Sequence, residues 1–442
     1  MYHAMSRRYF VRNHSQLVLV LAVFLLLFMT SCGTTVQQAQ SSQKTHVQKT
    51  PTHSSSSLLY YQTADALYGV NARDGKIAWS TSFDSFGTTV TYNQAIVSNG
   101  IVYAESTGSD GYYIYAFDAA HGTLRWKYRY GGDELQGEDG DSPSQLLVRQ
   151  GMVYLVVGTS SGASVGPQYP QGHTEANPTS PTPSTLDKID AITGHVLWQH
   201  HLSYRLNMPI LVNDTLYGIA STTFHGSLEA LKGNDGSLLW QHQLPQSDSS
   251  YYGLSFNNSM LYSMALHANS TLSLFAFSAS SGQNIWQSES VQAGSASLPT
   301  ITQNTLYFEA DYHHVYAFDS RNGKPIWQQT LPMSIDNLLV SHNTGTLYLV
   351  TQNSPDPSPL TLHVLSGSSG QQRWTHSLSL HNDTFNQLGM SYNELYLVTT
   401  APVQGPVNVS RYSSTTGSLL GTYTLPTNSA MSSVAGKITL NQ

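Results

Sequence analysis

The chain predicts an all-β fold, an eight-bladed β-propeller built from four-stranded antiparallel blades, and three observations predict it. All seven tryptophans follow a glycine by four residues, at the end of a short apolar stretch. The glycines recur at spacings of 47, 72, 42, 46, 41, 47 and 47 residues, the last step reaching a weaker copy at Gly417. Four short strands with their turns fill a period of that size. Between the glycines, turn clusters alternate with aromatic and β-branched runs such as Ile101-Val-Tyr103 and Thr305-Leu-Tyr307. That pattern belongs to strands. No helical periodicity is sustained past the N-terminal apolar segment.

Before the array, residues 1–31 carry Arg7, Arg8 and Arg12, then an apolar run from Leu17 to Phe28, then Met29-Thr-Ser31. This is the layout of a secretory signal peptide. The run is short for a transmembrane helix. Cys32, the single cysteine, stands directly after the small residues. The segment resembles a bacterial lipobox, which implies diacylglycerol on Cys32 and cleavage before it. A buried thiol or an ordinary cleavage site is the plain alternative. Ser6-Arg7-Arg8-Tyr9-Phe10 also resembles a twin-arginine signal, so both export routes stay open. Residues 33–57 are rich in Ser, Thr and Gln and read as a disordered tether following the lipidated cysteine.

The propeller is expected over 58–442. Its blade-docking pairs are Gly75 with Trp79, Gly122 with Trp126, Gly194 with Trp198, Gly236 with Trp240, Gly282 with Trp286, Gly323 with Trp327, and Gly370 with Trp374. Each glycine marks a turn needing positive φ, where a residue without Cβ is unstrained. Each indole is expected to pack on the neighbouring blade. In the eighth unit the tryptophan position is Gly421. The first unit, starting at Leu58, lacks an evident first strand. The tail Met431–Leu440 is strand-like with no hairpin after it, so it is expected to complete the first blade and close the ring. Closure removes exposed sheet edges. Seven blades with a degenerate cap is the alternative count.

Composition narrows function. Charged residues are 10% of the chain and the net charge is −7, with no basic stripe. Nucleic-acid binding has no electrostatic support. The acidic run holding Asp133, Glu134, Glu138, Asp139 and Asp141 offers weak calcium candidates, because calcium takes six to eight oxygens; a solvated loop is the simpler reading. The 72-residue gap contains a Pro/Ser-rich insertion at about 160–185, read as disordered or as a recognition loop. His200, His242 and His376 share one position on different blades, so they cannot share an ion. The adjacent pairs His200-His201 and His313-His314 put their rings on opposite faces of a strand. No nucleophile or phosphate-loop motif appears, and no catalytic residue is nominated.

The unit Ala116-x-Asp118-x-x-x-Gly122-x-x-x-Trp126, repeated at Ala317, Asp319, Gly323 and Trp327, resembles the tryptophan-docking repeat of pyrroloquinoline quinone (PQQ)-type propellers. Ala230, Lys232, Gly236 and Trp240 fit as well. Ser278 replaces the aspartate in the fifth unit, and Val364 with Ser366 makes the seventh looser. That family includes quinone-dependent alcohol and sugar dehydrogenases and also non-enzymatic lipoproteins of outer-membrane assembly. The resemblance therefore implies one of two activities. The first is a lipid-anchored, extracytoplasmic module that binds a protein or envelope component, with no cofactor. The second is a dehydrogenase holding PQQ and calcium in the central funnel. A lone cysteine excludes the cysteine-dependent dehydrogenase branches, and calcium ligands cannot be matched to positions in this chain.

Overall fold

A computed structural model describes residues 58–63, 66–83, 94–108, 111–130, 144–158, 184–221, 226–245, 250–352, 360–378, 383–401, 405–425 and 437–440. All of them fall in one compact unit, Ser55–Gln442. Cys32, the signal and tether segments, the acidic run and nearly all of the Pro/Ser-rich insertion lie outside the described residues.

Eight separate antiparallel sheets are present, with no helix among the described residues. Blade 2 shows the plan: Ile96–Ser98, Ile101–Gly108, Gly111–Asp118 and Leu124–Tyr130 hydrogen-bond in that order. The tyrosine-bearing strand is thus second in each blade. An inner strand precedes it, only three residues long at Ile96–Ser98 and Thr300–Thr302. First strands of neighbouring blades touch, for example Arg205–Val212 with Ser250–Asn257, and so form the inner ring. Blade 5 adds a fifth short strand, Val291–Gln292, beside its third.

The ring closes as the C-terminal tail requires. Lys437–Leu440 pairs antiparallel with Leu58–Gln62, aligning Leu59 with Leu440. This strand supplies the missing inner strand of blade 1. Gln387 of blade 8 clamps it from one side, donating to the Ile438 carbonyl at 3.0 Å and accepting from the Ile438 N–H at 3.2 Å. Thr439 donates to the Ala95 carbonyl of blade 2 at 2.6 Å on the other side.

The core is divided among the junctions. Eight clusters of buried apolar residues occur, and each spans two adjacent blades. Leu186 and Leu202 of blade 3 meet Leu216 and Leu231 of blade 4 in one; Leu59 and Ile438 meet Val398 and Val409 across the closing junction in another. A single blade has two apolar faces and cannot cover either alone, so stability resides between blades.

Tryptophan supplies the specificity of that docking. The indole N–H of Trp79, Trp126, Trp198, Trp240, Trp286 and Trp327 donates to a turn carbonyl of the next blade at 2.7–3.2 Å. The ring lies on the next glycine: a Cβ placed on Gly122 would come within 2.2 Å of Trp79. In these same six blades a tyrosine of the second strand sits 5.9–6.2 Å from the indole. Beside every docking position the third and fourth strands slip by one residue, as between Ala116 and Phe117. A bulge of this kind re-aims a side chain; here the residue re-aimed is the one that docks.

Candidate functional site

The strands divide the ring into two ends. At one end lie the turns that join first to second and third to fourth strands, including every docking glycine. At the other lie the connections between second and third strands and between successive blades. Gly158 and Ser184, which flank the Pro/Ser-rich insertion, pair with each other at the connection end of blade 3. Tyr130 and Ser144, which flank the acidic run, are strand ends on that same side.

Toward the connection end the interior turns polar. Asp187, 2% exposed, accepts from Tyr128 of blade 2 at 2.8 Å and from Gln199 of its own blade at 2.9 Å. Glu229, 1% exposed, repeats the arrangement one blade on. It accepts from Tyr204 at 2.5 Å, Gln241 at 2.8 Å and Ser227 at 3.3 Å. Burial pushes both carboxyls up; hydrogen bonds from Gln199 and Tyr128, then the charge interaction with His201, oppose it at Asp187, as do hydrogen bonds from Tyr204, Ser227 and Gln241 at Glu229. Buried charge is costly unless fully hydrogen-bonded, and each carboxylate here has a partner on both oxygens. Sequence inspection passed these residues over. The available signal was register: each acid stands eleven residues before a docking tryptophan, and each glutamine one residue after it.

Other polar groups are similarly enclosed. His363 meets Thr351 at 3.0 Å and Gln372 at 3.3 Å. Ser273 meets His267 at 2.9 Å and Ser290 at 2.8 Å, yet its side chain is fully buried and offers no approach to a substrate. His200 and His242 lie beside Gly236 and Gly282 of two different junctions. His376 lies tilted against Tyr412, ring centroids 5.7 Å apart. Among the described residues no three His, Cys, Asp or Glu side chains converge on a metal position.

The inner strands form the inner ring. Their described residues contain one carboxylate, Asp336, and three basic residues, Arg149, Arg205 and Lys437; the rest are apolar, amide or hydroxyl. Calcium wants six to eight oxygens, several of them carboxylate. These strands do not provide that set, nor the cluster of carboxylates, amide and arginine expected around a bound quinone. Instead their polar groups tie neighbours together: Gln145 donates to the Pro209 carbonyl at 3.1 Å and Ser255 to the Pro299 carbonyl at 2.7 Å.

The eighth junction is built differently. Gly421 stands at the tryptophan position, opposite Arg411. Arg411 donates to the Arg73 carbonyl of blade 1 at 2.8 Å and is held by Glu394 at 2.8–3.0 Å. Tyr423, two residues past the vacated position, lies against Gly75 and donates to the Ala72 carbonyl at 3.2 Å. In blade 3 a lysine takes the alanine position beside the tryptophan. Lys188 donates to the Gly233 carbonyl at 2.6 Å and sits 5.1 Å over the Tyr154 ring.

Comparison with known proteins follows this geometry. A family model described as outer membrane protein assembly factor BamB matches residues 32–185 and 270–440. The chain is 24% identical over 205 residues to the outer membrane protein assembly factor BamB of Yersinia pestis, covering 44% of this chain and 49% of that protein. It spans about half the length of the curated relatives it matches. Among solved structures, BamB from Moraxella catarrhalis superposes with a TM-score of 0.51 at 16% identity, over 80% of this chain and 91% of that one. A quinohemoprotein alcohol dehydrogenase from Pseudomonas putida HK5 gives 0.53 at 14% identity, over 79% and 68%. These likenesses are of fold, and both activities occur on it.

Proposed function

The chain belongs to the family of outer membrane protein assembly factor BamB, and from that premise we propose that it is a lipid-anchored extracytoplasmic propeller that binds an envelope protein as a scaffold. In this reading residues 1–31 direct export, Cys32 carries the acyl group, and 33–57 tether the ring. The observation that carries it is the make-up of the inner strands, whose polar side chains are used to bind one blade to the next and supply a single carboxylate. The Asp187 and Glu229 sites support it further, since each places a carboxylate where it holds elements together and meets no solvent.

The test is a crosslinked-membrane pull-down of the full chain from its host, with mass spectrometry of the N-terminal peptide. An envelope protein captured in stable proportion, together with diacylglycerol on Cys32, is the expected result. Oxidation of alcohols or sugars by the purified chain supplied with PQQ and calcium, with saturable quenching of tryptophan fluorescence, would overturn it in favour of a dehydrogenase.

A further inference from the structure

Among the described residues, thirteen large apolar side chains stand well exposed, and twelve of them lie at the turn end of the ring. The exception is Leu298. Val196, Leu197, Leu238, Leu239, Ile285 and Ile326 form an unbroken series over blades 3 to 6, each 42–55% exposed. They occupy the two residues before the docking tryptophan, at the start of each outermost strand. A scattered exposed leucine needs no explanation, but a one-sided collection does.

Charge follows the same axis. The turns at this end and the strand residues beside them hold ten Lys and Arg, of which Lys188 and Arg411 are buried in the junctions and the other eight are exposed, against seven Asp and Glu, three of them exposed. Among the described residues the segments that join strands at the opposite end hold Glu289, Asp311 and Asp383, with Glu309, Asp336, Arg129, Arg205 and Lys437 on the strand residues beside them. The chain as a whole is at −7, so one end is locally basic on an acidic protein.

A third observation concerns where the chain enters. Leu58 pairs with Asn71, which opens the turn before Trp79, so the first strand begins at the turn end. Residues 1–57 therefore join the ring there. Twenty-five residues separate Cys32 from Leu58.

We propose that the turn end of the ring rests on a lipid surface, with its aliphatic rim in the headgroup layer and its basic excess over anionic headgroups. The proposal rests on the anchored reading above and adds an orientation to it. Partial burial of apolar side chains together with attraction to anionic lipid is the ordinary basis of interfacial binding. The opposite end then points into the aqueous compartment.

The experiment uses the full chain reconstituted into vesicles of phosphatidylethanolamine with phosphatidylglycerol that carry a shallow lipid-borne quencher. A cysteine introduced as Ile285→Cys or, at the opposite end, Asn269→Cys takes an environment-sensitive fluorophore; intact mass first establishes that Cys32 is acylated. Quenching several-fold stronger at the Ile285 site than at the Asn269 site is expected. Leu197→Asp with Leu239→Asp should bring the two sites level while the chain still floats with the vesicles. Flotation with equal quenching at both ends overturns the orientation alone. Failure of the chain to float overturns the anchored reading and this proposal together. Shielding of the Ile285 site that grows with protein concentration and needs no lipid assigns the rim to a second copy and overturns the lipid surface.

Discussion

The Tyr423 hydroxyl donates to the Ala72 carbonyl at 3.2 Å, the place in the next blade's turn where Trp79 reaches Ala119 and Trp126 reaches Ala191. A phenol thus performs the docking of an indole, displaced by two residues along the same face of a strand. Tyr423→Phe keeps the packing and loses one hydrogen bond, an expected cost of about 0.5–1.5 kcal/mol. Tyr423→Ala also empties the seat on Gly75 and should cost about 3–5 kcal/mol. Urea titration of both variants measures the difference; equal losses would mean that the ring contributes nothing beyond its hydroxyl.

Two glycines with the same backbone separate strain from docking. Gly100 has φ +72 and open space where a Cβ would go, while Gly122 has φ +69 and the Trp79 ring in that space. Gly100→Ala should cost about 1–2 kcal/mol from the left-handed backbone alone. Gly122→Ala carries that cost and must also displace the indole, so its denaturation midpoint should fall well below. Coincident midpoints would show that the indole has room to retreat.

The paired buried carboxylates predict a pH dependence with a definite sign. Asp187 and Glu229 have folded pKa values above their unfolded ones. The native state therefore holds protons that the unfolded chain releases. Their contribution to stability is complete below the unfolded carboxylate range and is lost as pH rises through the folded values. Asp187→Asn and Glu229→Gln should raise stability at neutral pH and flatten this slope, since the tyrosine hydroxyls can turn to accept from an amide. Asp118 acts in the opposite sense. Hydrogen bonds from the Arg125 and His121 side chains hold it near 2, so its contribution is lost as pH falls. Denaturation midpoints across the acid range, with Asp118→Asn as the contrasting variant, check both signs.

The closing strand offers a local test. Ile438 is fully buried and both its backbone N–H and its carbonyl are held by Gln387. Ile438→Ala should cost about 2–5 kcal/mol, and Gln387→Ala should open the same junction with its apolar packing intact. In hydrogen exchange both should speed the amides of Leu58–Gln62 and Glu394–Thr400 before those of blades 4 to 6. Uniform acceleration around the ring would show that no junction opens alone.

The repeat of glycine and tryptophan made the architecture, the blade number and the tail's return to the first blade readable, because one residue pair per blade recurs in a fixed register. Three features escaped for physical reasons. Inner strands such as Ile96–Ser98 and Thr300–Thr302 are too short to show alternation. Tyr423 was missed because a motif anchored four residues past Gly417 stops at Gly421 and does not look two residues further along the same face. Asp187 and Glu229 were invisible because an acid in a strand reads as solvent-facing until the partners that bury it, Tyr128 and Tyr204, are placed beside it by the fold.

The pairing of Leu59 with Leu440 also orders events in time. The first blade's opening strand leaves the ribosome before any other strand of the ring and waits for a mate about 380 residues further on. Blades 2 to 7 gain both neighbours as synthesis proceeds, whereas the seam between the eighth and first is sealed only once Lys437–Leu440 has been made. Bringing the two ends of so long a chain together is the slow, entropically expensive step. Until it happens, an unpaired strand edge stands open to any other extended segment, so a truncation near the terminus should betray itself as aggregation before it shows as lost secondary structure.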